Sequence, residues 1–155
     1  MDPFSRAKEI ISHVRYMAIA SVAEDGQPWS APVYFGFDKR WDLYWISGRD
    51  SQHSRNIAGN PSVFIVIYDS TAPEGTGTGV YIKARAEVLA DAEDIRRACA
   101  CLYGRAGKAA PDADTFVGTR PRRVYRASPE NVWINSTRSS GVDLVDERVE
   151  VKLGD

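Results

Sequence analysis

The sequence predicts a mostly β, α+β domain: an antiparallel barrel, closed or nearly closed, with helices at its periphery. Three observations carry that expectation. Short apolar or alternating stretches outnumber helical ones. Tight-turn signals, rather than helices, join the early stretches, which disfavours an alternating α/β sheet. Hydrophobic residues make up 43% of the 155 positions, enough for one sizeable core and one domain.

The elements follow in order. Asp2 can cap a first helix with Pro3 at its first position, and Phe4, Ala7, Ile11 and Val14 repeat at helical spacing. From Tyr16 the period changes. "YMAIASVA" reads as a strand, "EDGQ" as a turn that can use Gly26 at positive φ, and "PWSAPVYFGF" as a second strand. "DKR" turns the chain into a third strand, "WDLYWIS", and the three together predict a meander. A short helix opens near Ser51. "SVFIVIYDS" is a continuous apolar strand, expected to be buried on both faces. After the loop "TAPEGTGTG", the strand "VYIKARAEVL" alternates, with Tyr81, Lys83 and Arg85 on one face and Ile82, Ala84 and Ala86 on the other. Asp91 is a plausible cap for a longer helix ending near Gly104, and "AGKAAPDAD" reads as a loop. "RRVYRA" and "NVWINS" read as two strands flanking Ser128-Pro129. Within the C-terminal stretch 139–155, the charged segment "DLVDERVEVKLGD" is a candidate edge strand. That makes six or seven strands and three helices in a single domain over 1–155.

Composition excludes several function classes. Twenty basic and 21 acidic residues leave a net charge of −1, so no global field draws in nucleic acid or an anionic membrane. No apolar run is long enough to span a bilayer, and the N-terminus lacks the order of a signal peptide, so a cytoplasmic protein is expected. Cys99 and Cys101 lie two apart on a helix without a nearby His, which suits two packed side chains rather than a disulfide or a metal site. No metal ligand set is expected. The catalytic templates of serine hydrolases, zinc proteases and phosphate-loop enzymes are missing. "GTGTG" precedes a strand and not a helix, so it reads as a hairpin loop. "RPRRVYR" is basic and aromatic, but charged edge strands commonly serve to prevent aggregation, and no nucleic-acid partner is expected.

One stretch concentrates hydrogen-bond donors: "WISGRDSQHSRNIAGNP". Ser47 ends a strand and Ser51 can cap the helix that follows, whose first N–H groups carry partial positive charge. Gln52 and His53 add donors, and Arg49 or Arg55 can add full charge. The stretch is either an anion site or a capped turn.

With these residues in view, the order "MAIASVAEDGQPWSAPVYFGFDKRWDLYWISGRDSQHSRNIAGNPSVFIVIYD" resembles the pyridoxamine 5′-phosphate oxidase-like family of flavin-binding split β-barrels. "GVYIKARAEVL" and "VYRASPENVWIN" resemble that family's later strands. The likeness covers about residues 4 to 136. It implies a homodimer with two flavin sites between subunits, holding FMN, and an oxidoreductase acting on a small molecule. The backbone of Ala31, Pro32, Val33 and Tyr34 would run beside the flavin ring. Ser47 would meet the phosphate, with Arg49, Ser51, Gln52 and His53 at the same corner. A second subunit would supply Gly79, Tyr81, Lys83 and Trp133. Lys83, Arg85, Trp133 and Asn135 are candidates for the substrate side, with barrel-surface packing or dimer contacts as the alternative. The oxidase itself carries an Arg-Lys pair where this chain has Gln52-His53, and its C-terminal Arg-x-His motif is not evident after "NVWINSTRSSG". The resemblance therefore implies a smaller relative with another substrate. A deazaflavin-dependent reductase, a non-catalytic flavin-binding protein and a tetrapyrrole binder are the alternatives on the same barrel.

Overall fold

The protein's structure, a computed structural model, describes residues 1–140 and 143–154. Chain order is α1 (Pro3–His13), β1 (Tyr16–Val22), β2 (Pro28–Tyr34), β3 (Gly36–Phe37), β4 (Leu43–Gly48), α2 (Gln52–Gly59), β5 (Ser62–Tyr68), β6 (Gly79–Val88), α3 (Ala92–Ala106), a 3-10 turn at Ala113–Phe116, β7 (Arg122–Ser140) and β8 (Asp143–Glu150). The described strands form one sheet in the order β2-β1-β5-β6-β7-β4-β3, with β8 on β7. Each pairing is antiparallel. The two ends of that path, β2 and β3, are separated in the chain by Phe35 alone, so the sheet has curled back on itself. No ladder joins β2 to β4, and the barrel is left split along that seam.

Period-2 patterning sets the inside. The row Ile19–Ile65–Ile82–Val132 runs across four strands and is buried throughout. From β4, Leu43 and Trp45 also point inward, and Trp45 stacks on Tyr125 with ring centroids 5.4 Å apart. Tyr44 belongs to a second core under α3, made with Ile95, Ala98, Cys99, Leu102, Phe116 and Val124. α3 comes so close that a Cβ on Gly36 would stand 2.9 Å from the Cys101 carbonyl carbon, which explains the glycine there.

α1 is capped as expected: Asp2 accepts from the Ser5 N–H at 3.0 Å. Its other end is tied down by Arg105 of α3. That guanidinium donates to the carbonyls of Ile11 at 2.8 Å, Ser12 at 3.2 Å, Val14 at 2.6 Å and Phe35 at 3.2 Å, and lies 4.5 Å over the Phe35 ring. A cation at a helix C-terminus meets the negative end of the dipole and carbonyls that lack intrahelical donors.

Several expectations are corrected. The expected meander is broken in its middle strand: that strand divides at Phe35 into β2, which pairs with β1, and β3, which pairs with β4, while β4 has no ladder to β2 and takes β7 as its main partner. β5 is buried on one face only, and Phe64 and Tyr68 are exposed on the other. Its apolar outer face made the alternation invisible in sequence. The two late strands are one 19-residue strand. The register slips between Lys83 and Ala84, so Glu130 is looped out beside Pro129, the kind of bulge that admits proline into a strand. α3 runs on to Ala106 and ends at Gly107, which takes φ of 65° and caps Tyr103 and Gly104. Part of the expected loop before β7 forms the 3-10 turn, which seats the buried Phe116. The charged segment does add an edge strand, β8; residues 141, 142 and 155 of the stretch 139–155 lie outside the described residues.

Candidate functional site

The corner singled out in the sequence lies where β4 ends and α2 begins. Trp45 and Ser47 share the inward face of β4 by period 2, and α2 carries Ile57 into the same core. Ser47 is thereby brought against α2, and its Oγ lies 2.7 Å from His53 Nε2. The same nitrogen lies 3.3 Å from Ser51 Oγ. Ser51 caps the helix, accepting from the Ser54 N–H at 3.4 Å and donating to Ser54 Oγ at 2.8 Å. The N–H groups of Gln52 and His53, at the first helical positions, have no intrahelical acceptor. The corner therefore gathers two hydroxyls, an imidazole and a helix N-terminus. Among the described residues, no carboxylate bonds to Ser47, Ser51 or His53. Burial holds the His53 pKa below its ordinary 6.5, so the imidazole is neutral near pH 7 until an anion stands beside it.

The other corner residues are only partly drawn in. Gln52 turns along its helix, donating to Asn56 Oδ1 at 2.7 Å and accepting from Arg55 at 2.8 Å. Asn56, buried, donates to the buried Ser21 hydroxyl at 3.0 Å and locks α2 to β1. Arg49 turns away from the corner to the Gly118 carbonyl, 3.4 Å, and to exposed Asp50. Ser54 and Asn56 were missed in the sequence, although their i,i+3 and i,i+4 spacing from Ser51 and Gln52 was a usable signal.

Ala31, Pro32, Val33 and Tyr34 lie on β2, at the open seam, with one backbone edge paired to β1. Val33 is buried in the core, and Pro32 and Tyr34 lie on the other face. Gly79, Tyr81, Lys83 and Trp133 do come together, on the outward face of β6 and β7. The Gly79 N–H donates to Asn135 Oδ1 at 2.5 Å, Arg148 lies 3.9 Å over the Tyr81 ring, and Lys83 pairs with Glu130 at 3.3 Å. Trp133 stacks with Phe64 of β5 at 6.4 Å. Arg85 points outward and is exposed. Among the described residues, no hydrogen bond, ion pair or ring contact joins this outer group to the Ser47–His53 corner within one chain.

A shallow pocket of 190 Å³ opens beside Tyr34 and Ile46, walled by Leu102, Tyr103 and Lys108 of the α3 side. The basic stretch 120–126, which runs into β7, offers no stacking surface. Tyr125 is buried against Trp45, and Arg126 is paired to Glu87.

A family model for pyridoxamine 5′-phosphate oxidase matches residues 5–136. The chain belongs to that family. Solved structures agree on the fold. A protein proposed to confer 5-nitroimidazole antibiotic resistance, from Bacteroides thetaiotaomicron, superposes with TM-score 0.71 at 16% identity, covering 86% of this chain and 84% of that one. HutZ, the haem storage protein from Vibrio cholerae, gives 0.69 at 19% identity over 84% of this chain and 92% of that one. A haem-binding protein from Mycobacterium smegmatis gives 0.71 at 16% identity over 96% of this chain, which spans only 58% of that longer protein. Curated protein sequences give no match. At such low identity these structures show the shared split-barrel fold alone. Among the described residues, no helix is long and apolar enough to cross a membrane.

Proposed function

We propose that this family member binds FMN between two copies of the chain and acts as a flavin-dependent oxidoreductase on a small molecule. The observation that carries the reading is the Ser47–His53–Ser51 corner, inside the region that matches the family model. Its donor set suits a phosphate: hydroxyls, an imidazole that can take up a proton, and free amide groups at the start of α2. Ser47, Ser51, Gln52 and His53 would hold the phosphate, and the seam strand from Ala31 to Tyr34 would flank the ring. Gly79, Tyr81, Lys83 and Trp133 would reach the ring from the second copy, which accounts for their distance from the corner in one chain. The flavin, when bound, supplies electron transfer at its ring; the chain supplies orientation, polar contacts and exclusion of water. In place of the oxidase's two cations, His53 provides a donor that becomes charged as the anion raises its pKa.

The test is a two-by-two titration, wild type and His53→Ala, each with FMN and with riboflavin, followed by flavin fluorescence. Loss of one charge-assisted contact, about 1.5 to 3 kcal/mol, weakens FMN binding about ten- to a hundredfold and leaves riboflavin nearly unaffected. Equal weakening of both ligands makes His53 a structural residue. Equal affinity of wild type for both ligands reduces the corner to a capped turn. The absorption spectrum of the extracted cofactor separates FMN from a deazaflavin. Reduction by NADH or NADPH with turnover separates an enzyme from a flavin carrier.

A second reading is haem binding, favoured by the haem-binding and haem-storage neighbours. Both histidines are engaged in this chain: His53 Nε2 with Ser47, and His13 Nδ1 at 2.9 Å from the Glu9 carbonyl. Among the described residues, the Nε2 of exposed His13 and the Nδ1 of half-buried His53 are left to meet an iron. A Soret band that forms on haem titration and is lost in His13→Ala supports this reading over the flavin one.

A further inference from the structure

A cleft of 440 Å³ lies between α2, the end of β6 and the start of β7. Its floor is apolar, with Ile57, Ala86 and Tyr125 at the base and half-exposed Val88 at the side. Its rim carries Arg49, Arg55 and Arg123.

Two of these guanidiniums are held together. Arg49 and Arg123 both donate to the Gly118 carbonyl, at 3.4 Å and 2.5 Å, which puts the donating nitrogens within about 6 Å of each other. Arg123 is fixed further by the carbonyls of Arg120 at 2.6 Å and Arg122 at 2.9 Å. Gly118 presents its carbonyl from a left-handed turn, φ 63°, that disfavours other residues. Arg55, across the rim, donates to the Asp50 carbonyl and to Gln52 Oε1, both neutral acceptors.

The counter-charges do not balance this rim. Asp50 lies 3.7 Å from Arg49 Nε, but its side chain is 88% exposed. Glu87, the acid lining the cleft, is occupied by Arg126. Fixing like charges side by side is unfavourable, and the cost falls when an anion sits between them. Each guanidinium has five N–H donors, so donors remain after the carbonyls are served. A fixed cationic rim above an apolar floor of ligand size is the pattern of a small-molecule site.

We propose that this cleft binds a small organic anion, a carboxylate or phosphate head on a flat apolar body, at a site separate from the Ser47–His53 corner. The head lies between Arg49 and Arg123, and the body lies on Tyr125, Ala86 and Val88. The proposal does not depend on the flavin reading.

The experiment is an amide NMR titration of the purified protein with phenyl phosphate, benzoate, inorganic phosphate and benzyl alcohol. Phenyl phosphate and benzoate move the amides of Ala58, Val88 and Gly118 saturably; whichever binds tighter identifies the preferred head group. Inorganic phosphate, lacking the apolar body, binds at least about tenfold more weakly, and benzyl alcohol leaves these amides in place. Arg123→Gln weakens phenyl phosphate about tenfold or more. Ala58→Glu puts a carboxylate on the exposed, cleft-lining side of α2 and abolishes binding without changing thermal unfolding, so the proposal stays testable if Arg123→Gln does not fold. Absence of saturable shifts at millimolar ligand overturns the proposal and leaves the arginines as a clamp on the Gly118 turn. Equal binding by Ala58→Glu overturns it too, as does displacement of phenyl phosphate by FMN, which makes the cleft part of the flavin site.

Discussion

His53 is half-buried with no charged partner among the described residues, and its pKa lies below the 6.5 of a free imidazole because burial penalises the imidazolium. The unfolded chain therefore takes up a proton at a higher pH than the native one. In that window the unfolded state binds more protons, so stability is fully present above 6.5 and falls as pH drops towards the depressed native value. His53→Asn keeps an amide near Ser47 and removes the titration. Between about pH 7 and about pH 5, the unliganded wild type should lose more of its urea stability than the variant. The carboxylates are common to both proteins, so the difference isolates one side chain. Equal pH slopes would mean that the corner tolerates the imidazolium as well as water does. A bound phosphate reverses the sign by drawing the pKa upward, which ties the stability experiment to the ligand titration.

At the scale of elements, β5 carries the centre of the core. Ile65 is fully buried between Ile19 and Ile82, and Ile65→Ala should cost about 2 to 5 kcal/mol in chemical unfolding. A loss well under 1 kcal/mol would show that the strand is not enclosed. The same strand marks the limit of reading elements from sequence. Its inner residues were identifiable, but Phe64 and Val66 on the outer face are apolar as well, so the period-2 signal that separates one buried face from two was erased. The Asp2, Ser51 and Asp91 caps were legible because a cap is a local hydrogen bond. Ser128-Pro129 was misread because local rules end a strand at proline, whereas β7 absorbs it in a bulge opposite β6, a non-local event. The partners of β4 were hidden for the same reason: β7 lies about 80 residues away in the chain. In the site, the Ser47–His53 contact was legible as one corner. The turning of Arg49 towards Gly118 depended on a loop that the sequence could not bring near.

At the scale of the whole molecule, the aromatic load of the sequence has two destinations. Trp41, Tyr44 and Trp45 are 4%, 5% and 0% exposed and belong to the protomer's own cores. On β2, Trp29 is 46% exposed and Tyr34 half-buried. A different surface remains: the outer row Ala18–Val66–Tyr81–Trp133, with Phe64 41% and Tyr68 53% exposed beside it. A broad apolar sheet face of this kind is unusual on a monomer and ordinary at an interface between copies. Light scattering at micromolar concentration should give twice the 17.2 kDa chain mass. Phe64→Asp places a charge in the middle of the face without touching the buried row, so the variant should stay folded and run as a monomer. Because the corner residues and the Tyr81–Trp133 group lie apart in one chain, the monomeric variant should also lose FMN affinity although every corner residue is intact. A wild type that is monomeric at micromolar concentration removes the dimer. A Phe64→Asp monomer that binds FMN as tightly as wild type removes the composite site but leaves the dimer, because only a shared site makes flavin affinity depend on association.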